Sequence, residues 1–114
     1  NRLGFAHCVS NYPVNYKDVN IRQIENLIKK FPKINIGYSD HSIGISAPLA
    51  AVTLGASFVE KHFTLDNNFS NFRDHKLSLN PRDFAELVNE IRNTEKKNWY
   101  CRGCLEIGLI KVHS

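Results

Sequence analysis

The sequence predicts an α/β fold of parallel strands joined by helices. Two observations predict it. Short apolar runs of strand character alternate with amphipathic helical segments, in the order strand–helix–strand–helix–strand–helix, and each strand run ends in a cluster of polar residues. That order gives right-handed crossovers between parallel neighbours. Two architectures use it, an open doubly wound sheet and a (β/α)8 barrel. A complete barrel takes eight strands and about 250 residues, so 114 residues hold only part of one.

The elements follow in order. Leu3 to Val9 is a short apolar run closed by Ser10-Asn11-Tyr12-Pro13, a buried strand entering a loop. Pro13 keeps its neighbour out of the helical region. Asp18 is placed to cap a helix whose apolar stripe is Ile21, Ile24, Leu27, Ile28 and Phe31, and Pro32 stops it. Ile34 to Tyr38 is a second strand, with Ser39-Asp40-His41-Ser42 at its end. Ser46 is placed to cap a second helix that tolerates Pro48 in its first turn and ends before Gly55. Ser57 to Phe63 is a third strand, and Thr64 to Lys76 is a polar loop. Asn80-Pro81-Arg82-Asp83 starts a third helix with Phe84, Leu87, Val88 and Ile91 on one face. The first 95 residues form this repeat; residues 96–114 follow no period and stay unassigned.

Composition narrows the function. The chain is 42% hydrophobic and 23% charged, ordinary for a globular protein. A net charge of +4 suits an anionic small molecule, and without a basic run it does not point to nucleic acid. No apolar stretch approaches the roughly 20 residues of a membrane span. The first residues carry no signal-peptide pattern and no Met, and read as the start of a strand in a longer protein. Three cysteines, an odd number, without such a signal point to a reducing compartment, and a cytoplasmic location is expected. Cys101 and Cys104 form a CxxC pair with only His113 near; a zinc site needs four ligands, so the spacing is read as chance.

In parallel α/β architectures, ligands bind at the C-terminal ends of the strands. Alternate strand residues share a face, so Ser10 with Tyr12, Ser39 with His41, and Glu60 with His62 can point into one pocket. Two imidazoles from neighbouring strands with positions left open could hold Zn, Mn or Fe, and carboxylate neighbours favour Mn or Mg. The competing reading is two hydrogen-bonded core histidines. His7 falls on the other face and is read as packing. Cys8 is on the pocket face but has no identified base, so a small buried filler is preferred to a nucleophile. Asn71 to Lys76 reads as a solvated loop or as a lid that brings a carboxylate to a polyol.

Several stretches resemble the sialic acid synthase family. They are His7-Cys8-Val9-Ser10-Asn11-Tyr12-Pro13, Gly37-Tyr38-Ser39-Asp40-His41-Ser42, Glu60-Lys61-His62-Phe63-Thr64-Leu65-Asp66 and Asp74-His75-Lys76, in matching order over residues 3–95. The resemblance implies the last three βα units of a (β/α)8 barrel. It implies condensation of phosphoenolpyruvate with N-acetylmannosamine or a related N-acetylhexosamine-type sugar, in a protein that forms homodimers. It makes His41 and His62 ligands of a divalent metal, Mn2+ with Mg2+ as second choice. It gives Ser10 and Ser39 to phosphoenolpyruvate, Tyr12 to substrate and Asp74 to the sugar. Asp74 and Glu60 are the expected catalytic residues, Glu60 by orienting a ligand or polarising water. Where the family often has Gly-Pro before the Asp-His pair, this chain has Phe72-Arg73, which leaves the sugar open. The alternatives are another metal-dependent aldolase or hydrolase on the same barrel, and an inactive barrel fragment.

Overall fold

A computed structural model describes residues 3–97 and the backbone of residues 110–112. The CxxC pair and His113 lie outside the described residues. Among the described residues, four parallel strands form one sheet in the order β1 (Gly4–Cys8), β2 (Asn35–Asp40), β3 (Val59–Phe63) and β4 (Ile110–Val112). Between them run α1 (Gln23–Lys30), α2 (Ser46–Thr53), the short α3 (Arg73–Leu77) and α4 (Pro81–Lys97). This is the α/β arrangement expected of consecutive units of a (β/α)8 barrel. The fourth strand comes from the tail that the sequence leaves unassigned. Its register sets Lys61 against Ile110 and Phe63 against Val112.

Local chemistry explains most element boundaries and corrects two. Asp18 does not cap α1; it ends a single 3-10 turn, Tyr16–Asp18. Asn20 follows at φ 47°, a left-handed conformation that Asn tolerates better than most residues, so the helix restarts at Gln23. Ser46 is the first residue of α2 rather than its cap, a position held by Ile45. Asn80 caps α4 as expected: its Oδ1 accepts the Asp83 N–H at 2.9 Å. Gly55 follows α2 at φ 99°, where a side chain would be strained.

The core lies between sheet and helices. Ile24, Ile36, Tyr38 and Ala51 form one cluster under α1 and α2. Val52, Val59, Leu79, Leu87 and Ile91 form a second under α2 and α4. Strand β2 is buried on both faces after its first residue, as a strand within a parallel sheet is. On the sheet's other side, Phe58 lies flat against the backbone. A Cβ on Gly37 would come within 2.5 Å of three Phe58 ring carbons. Gly37→Ala is therefore expected to cost about 1–3 kcal/mol through overpacking, read as a lower urea midpoint. An unchanged midpoint would contradict that packing.

Candidate metal and substrate site

The C-terminal ends of β1, β2 and β3 surround a cavity of about 340 Å³ lined by Cys8, Tyr12, Ser39, His41, Glu60, His62, Arg73 and Asp74. Strand alternation delivers Ser39, Glu60 and His62 to it, and His41 follows directly after β2. The His41 and His62 rings stand edge to face with centroids 5.2 Å apart. Both residues are 5% exposed. Tyr12 closes one side, 4.2 Å from the His41 ring and 6.0 Å from the His62 ring.

Hydrogen bonds fix the orientation of these groups. His41 donates from Nδ1 to the Val9 carbonyl at 2.9 Å, which leaves its Nε2 as the nitrogen with a free lone pair. The Cys8 Sγ lies 3.7 Å from the same Nδ1. Ser39 Oγ donates to Glu60 Oε1 at 3.2 Å. Asp74 Oδ2 lies 3.9 Å from His62 Nδ1. Asp74 Oδ1 is buried without a hydrogen-bond partner among the described residues, although Arg73 Nε stands 3.7 Å away. The Arg73 guanidinium sits over the Tyr12 ring at 4.8 Å.

Ser10 is not brought in. It is exposed and does not line the cavity. Alternation holds only while the strand lasts, and β1 ends at Cys8. The chain then turns tightly, with Asn11 N–H donating to the Val9 carbonyl at 2.9 Å. Tyr12 reaches the cavity from this loop. His7 packs, as expected, donating to the Val19 carbonyl at 2.8 Å and stacking on Tyr38.

The segment after β3 is more ordered than a solvated loop. Asn67 donates to the carbonyls of His75 and Ser78 at 2.9 and 2.7 Å, tying down the end of α3, and accepts from Asn80 at 3.0 Å. His75 donates from Nδ1 to Thr64 Oγ1 at 2.9 Å, and that hydroxyl donates to the Asp66 carbonyl. These ties hold Asp74 at the cavity wall.

The donor set fits a divalent cation held by two imidazoles. A backbone carbonyl on the distal nitrogen of a ligating His is the usual supporting contact, and His41 has it. Among the described residues no group of three or more His, Cys, Asp and Glu side chains is placed to hold a metal ion. Water or substrate oxygens would therefore complete the coordination.

A model of the NeuB family matches residues 1–99. The chain belongs to the NeuB family. It is 52% identical over 90 residues to the uncharacterized protein MJ1065 of Methanocaldococcus jannaschii, covering 79% of this chain and 26% of that one. It is 47% identical over 94 residues to the N,N'-diacetyllegionaminic acid synthase of Campylobacter jejuni, covering 82% of this chain and 28% of that one. Among solved structures, the N-acetylneuraminic acid (sialic acid) synthetase of Leptospira borgpetersenii in complex with citrate superposes with a TM-score of 0.78 at 42% identity, covering 90% of this chain and 35% of that one. The chain thus spans about a quarter of the length of the curated NeuB relatives it matches. Among the described residues no helix is long and apolar enough to cross a membrane.

Behind this NeuB-type site lies a group that reading the sequence alone missed. Lys61 Nζ donates to Asp40 Oδ2 at 2.7 Å and to the Ser42 carbonyl. Asp40 Oδ1 accepts from the Tyr38 hydroxyl at 2.9 Å and from the Ser42 N–H at 2.8 Å. The available signal was the acid and the base that each immediately precede a site histidine. Burial pulls the Lys61 ammonium below its usual pKa, and Asp40 works in the opposite direction. Burial, and then the Asp40 charge and hydrogen bond, push the Tyr38 hydroxyl well above its usual value of 10.0. Because the folded state holds the Tyr38 proton more tightly, this contribution is complete below pH 10 and is lost as pH rises further. The titration of Lys61 in the unfolded state, around its usual value of about 10.5, is common to the native chain and Tyr38→Phe and cancels when the two are compared. Stability is expected to fall with a steeper slope in the native chain than in Tyr38→Phe, measured by urea denaturation between pH 10.5 and 12. Equal slopes would contradict the assignment.

Proposed function

We propose that this chain forms the metal- and sugar-binding part of a nonulosonate synthase, condensing phosphoenolpyruvate with N-acetylmannosamine or a related N-acetylated sugar. The observation that carries it is the cavity in which His41 and His62 face each other beside two carboxylates, Glu60 and Asp74. His41 and His62 would hold the metal, Mn2+ before Mg2+. Bound there, it would supply Lewis acidity toward the open-chain aldehyde of the sugar.

The remaining roles belong to the chain's own groups. Asp74 Oδ1, buried and without a hydrogen-bond partner among the described residues, accepts a sugar hydroxyl. Leaving a buried acceptor unfilled is costly, so the sugar satisfies it on binding. Tyr12 forms a wall for the substrate. Ser39 holds phosphoenolpyruvate at the floor. The alkene carbon of phosphoenolpyruvate bonds to the aldehyde carbon, whose C=O π bond breaks and whose oxygen takes up a proton; water adds at the cationic C2 and gives up a proton, and the C–O bond to the phosphate breaks as phosphate leaves. Glu60, held by Ser39, polarises that water. Ser10, exposed outside the cavity, takes no role in this geometry. The complete synthase works as a homodimer in the cytoplasm.

The test is a chimera in which residues 3–97 replace the matching segment of the C. jejuni synthase. Glu60→Gln is expected to lower kcat about 100-fold, the scale of lost acid–base assistance, with little change in KM. Asp74→Asn is expected to raise the sugar KM about tenfold, from one lost charged hydrogen bond. Unchanged kinetics in either variant would remove the role assigned to that residue.

A further inference from the structure

One buried charged cluster takes no part in the chemistry just described. Asp40 and Lys61 are Cα partners across β2 and β3. Their side chains are 0% and 1% exposed, on the helix-facing side of the sheet, opposite the cavity. Asp40 accepts three hydrogen bonds, from Lys61, Tyr38 and the Ser42 backbone. Lys61 also donates to the Ser42 carbonyl. The cluster therefore grips the chain on both sides of His41, at residues 40 and 42, and clamps it to the residue just before His62.

A buried ion pair is a poor source of net stability, because desolvation offsets the attraction. It is a strong source of register. A slip of one residue between β2 and β3 would turn Asp40 or Lys61 to the opposite face of the sheet, and a slip of two would bury both charges apart. Strand alternation makes the same register set the imidazoles on the cavity side. The next residue after the acid is one site histidine, and the next after the base is the other.

We propose that Asp40 and Lys61 are positioning residues: their buried pair fixes the strand register and the turn after β2 that bring the His41 and His62 rings together. Its functional meaning rests on the reading of the two histidines as metal ligands, and the test separates the two. Through this clamp, the distance between the ligands is set from the back of the sheet as well as by the loop after β1, which holds His41 through the Val9 carbonyl and the Val14 N–H.

The experiment uses the chain as it stands, without metal and then with Mn2+ alone. In the native chain, NMR is expected to show contacts between the His41 and His62 ring protons. Asp40→Asn combined with Lys61→Met replaces the pair by neutral groups of similar size, so that neither charge is left buried alone. Contacts of Val52, Leu87 and Ile91 in the second core cluster report whether this double variant is folded. With those contacts retained, the ring contacts are expected to disappear and Mn2+ affinity to fall about 10- to 100-fold, as when groups supporting a ligand are lost. Tyr38→Phe removes only one hydrogen bond to Asp40 and is expected to lower Mn2+ affinity about threefold. Native ring contacts in the folded double variant overturn the proposal. Should the double variant not fold, native ring contacts together with native affinity in Tyr38→Phe overturn it. If the native chain shows the ring contacts but binds no Mn2+, the metal reading fails; the ring contacts of the variants then decide the proposal alone.

Discussion

His62→Ala is expected to abolish useful metal binding by this chain, raising the Kd for Mn2+ more than ~100-fold. Loss of a group that merely supports a ligand costs 10- to 100-fold, and loss of a ligand costs at least as much. The effect is large because the chain offers so few alternatives: among the described residues no third side chain completes a metal-binding set. A single imidazole at His41 would be left. His7→Ala is the matched control. That histidine donates to the Val19 carbonyl and stacks on Tyr38, away from the cavity, so its loss is expected to leave Mn2+ affinity intact. Titration calorimetry on the two variants checks both statements, and equal affinities would contradict the ligand assignment.

Lys61→Met alone is expected to cost about 3–5 kcal/mol of stability. The ammonium is 1% exposed and Asp40 is 0% exposed, so the substitution leaves a carboxylate in the core with its cation gone. Tyr38 and the Ser42 N–H still donate to it, which offsets part of the penalty. A domain of this size has roughly 5–15 kcal/mol in total, so a large share is removed. Adding Asp40→Asn is expected to recover most of the loss, because the uncompensated charge, and not the missing contact, is what destabilises. Urea denaturation of the single and double variants measures the difference. A single variant within about 1 kcal/mol of the native chain would contradict the buried-pair account.

Much of this was readable from residues alone, for physical reasons that differ between elements. Strands β1 to β3 announce themselves as short apolar runs, but only β2 is buried on both faces; β1, expected as a buried strand, is largely exposed. His41, Ser39, Glu60 and His62 could be placed together because strand geometry alternates sides with a period of two. That rule also misled: it was extended past the end of β1 to Ser10, where the turn at Val9–Asn11 had already broken the alternation. Helix α3 was hidden because its segment is polar and its support is not local. The Asn67 amide ties its last carbonyls from outside the helix. Strand β4 was hidden for a similar reason, since its register depends on β3 and not on any pattern of its own. Arg73 joins the cavity wall by stacking on Tyr12; the sequence signals were its place just before Asp74 and the departure of Phe72-Arg73 from the family's usual Gly-Pro. The Asp40–Lys61 pair lay in plain view as two charges at strand ends, but only cross-strand register makes them partners.

The central claim is that His41 and His62 serve one condensation site. Phosphate release from phosphoenolpyruvate, with N-acetylmannosamine and Mn2+, tests it most directly in the chimera carrying residues 3–97. The account predicts release that requires both the sugar and the metal and disappears in His41→Ala. A folded chimera that binds Mn2+ yet releases no phosphate with any N-acetylated hexosamine offered would contradict it, as would release that survives His41→Ala.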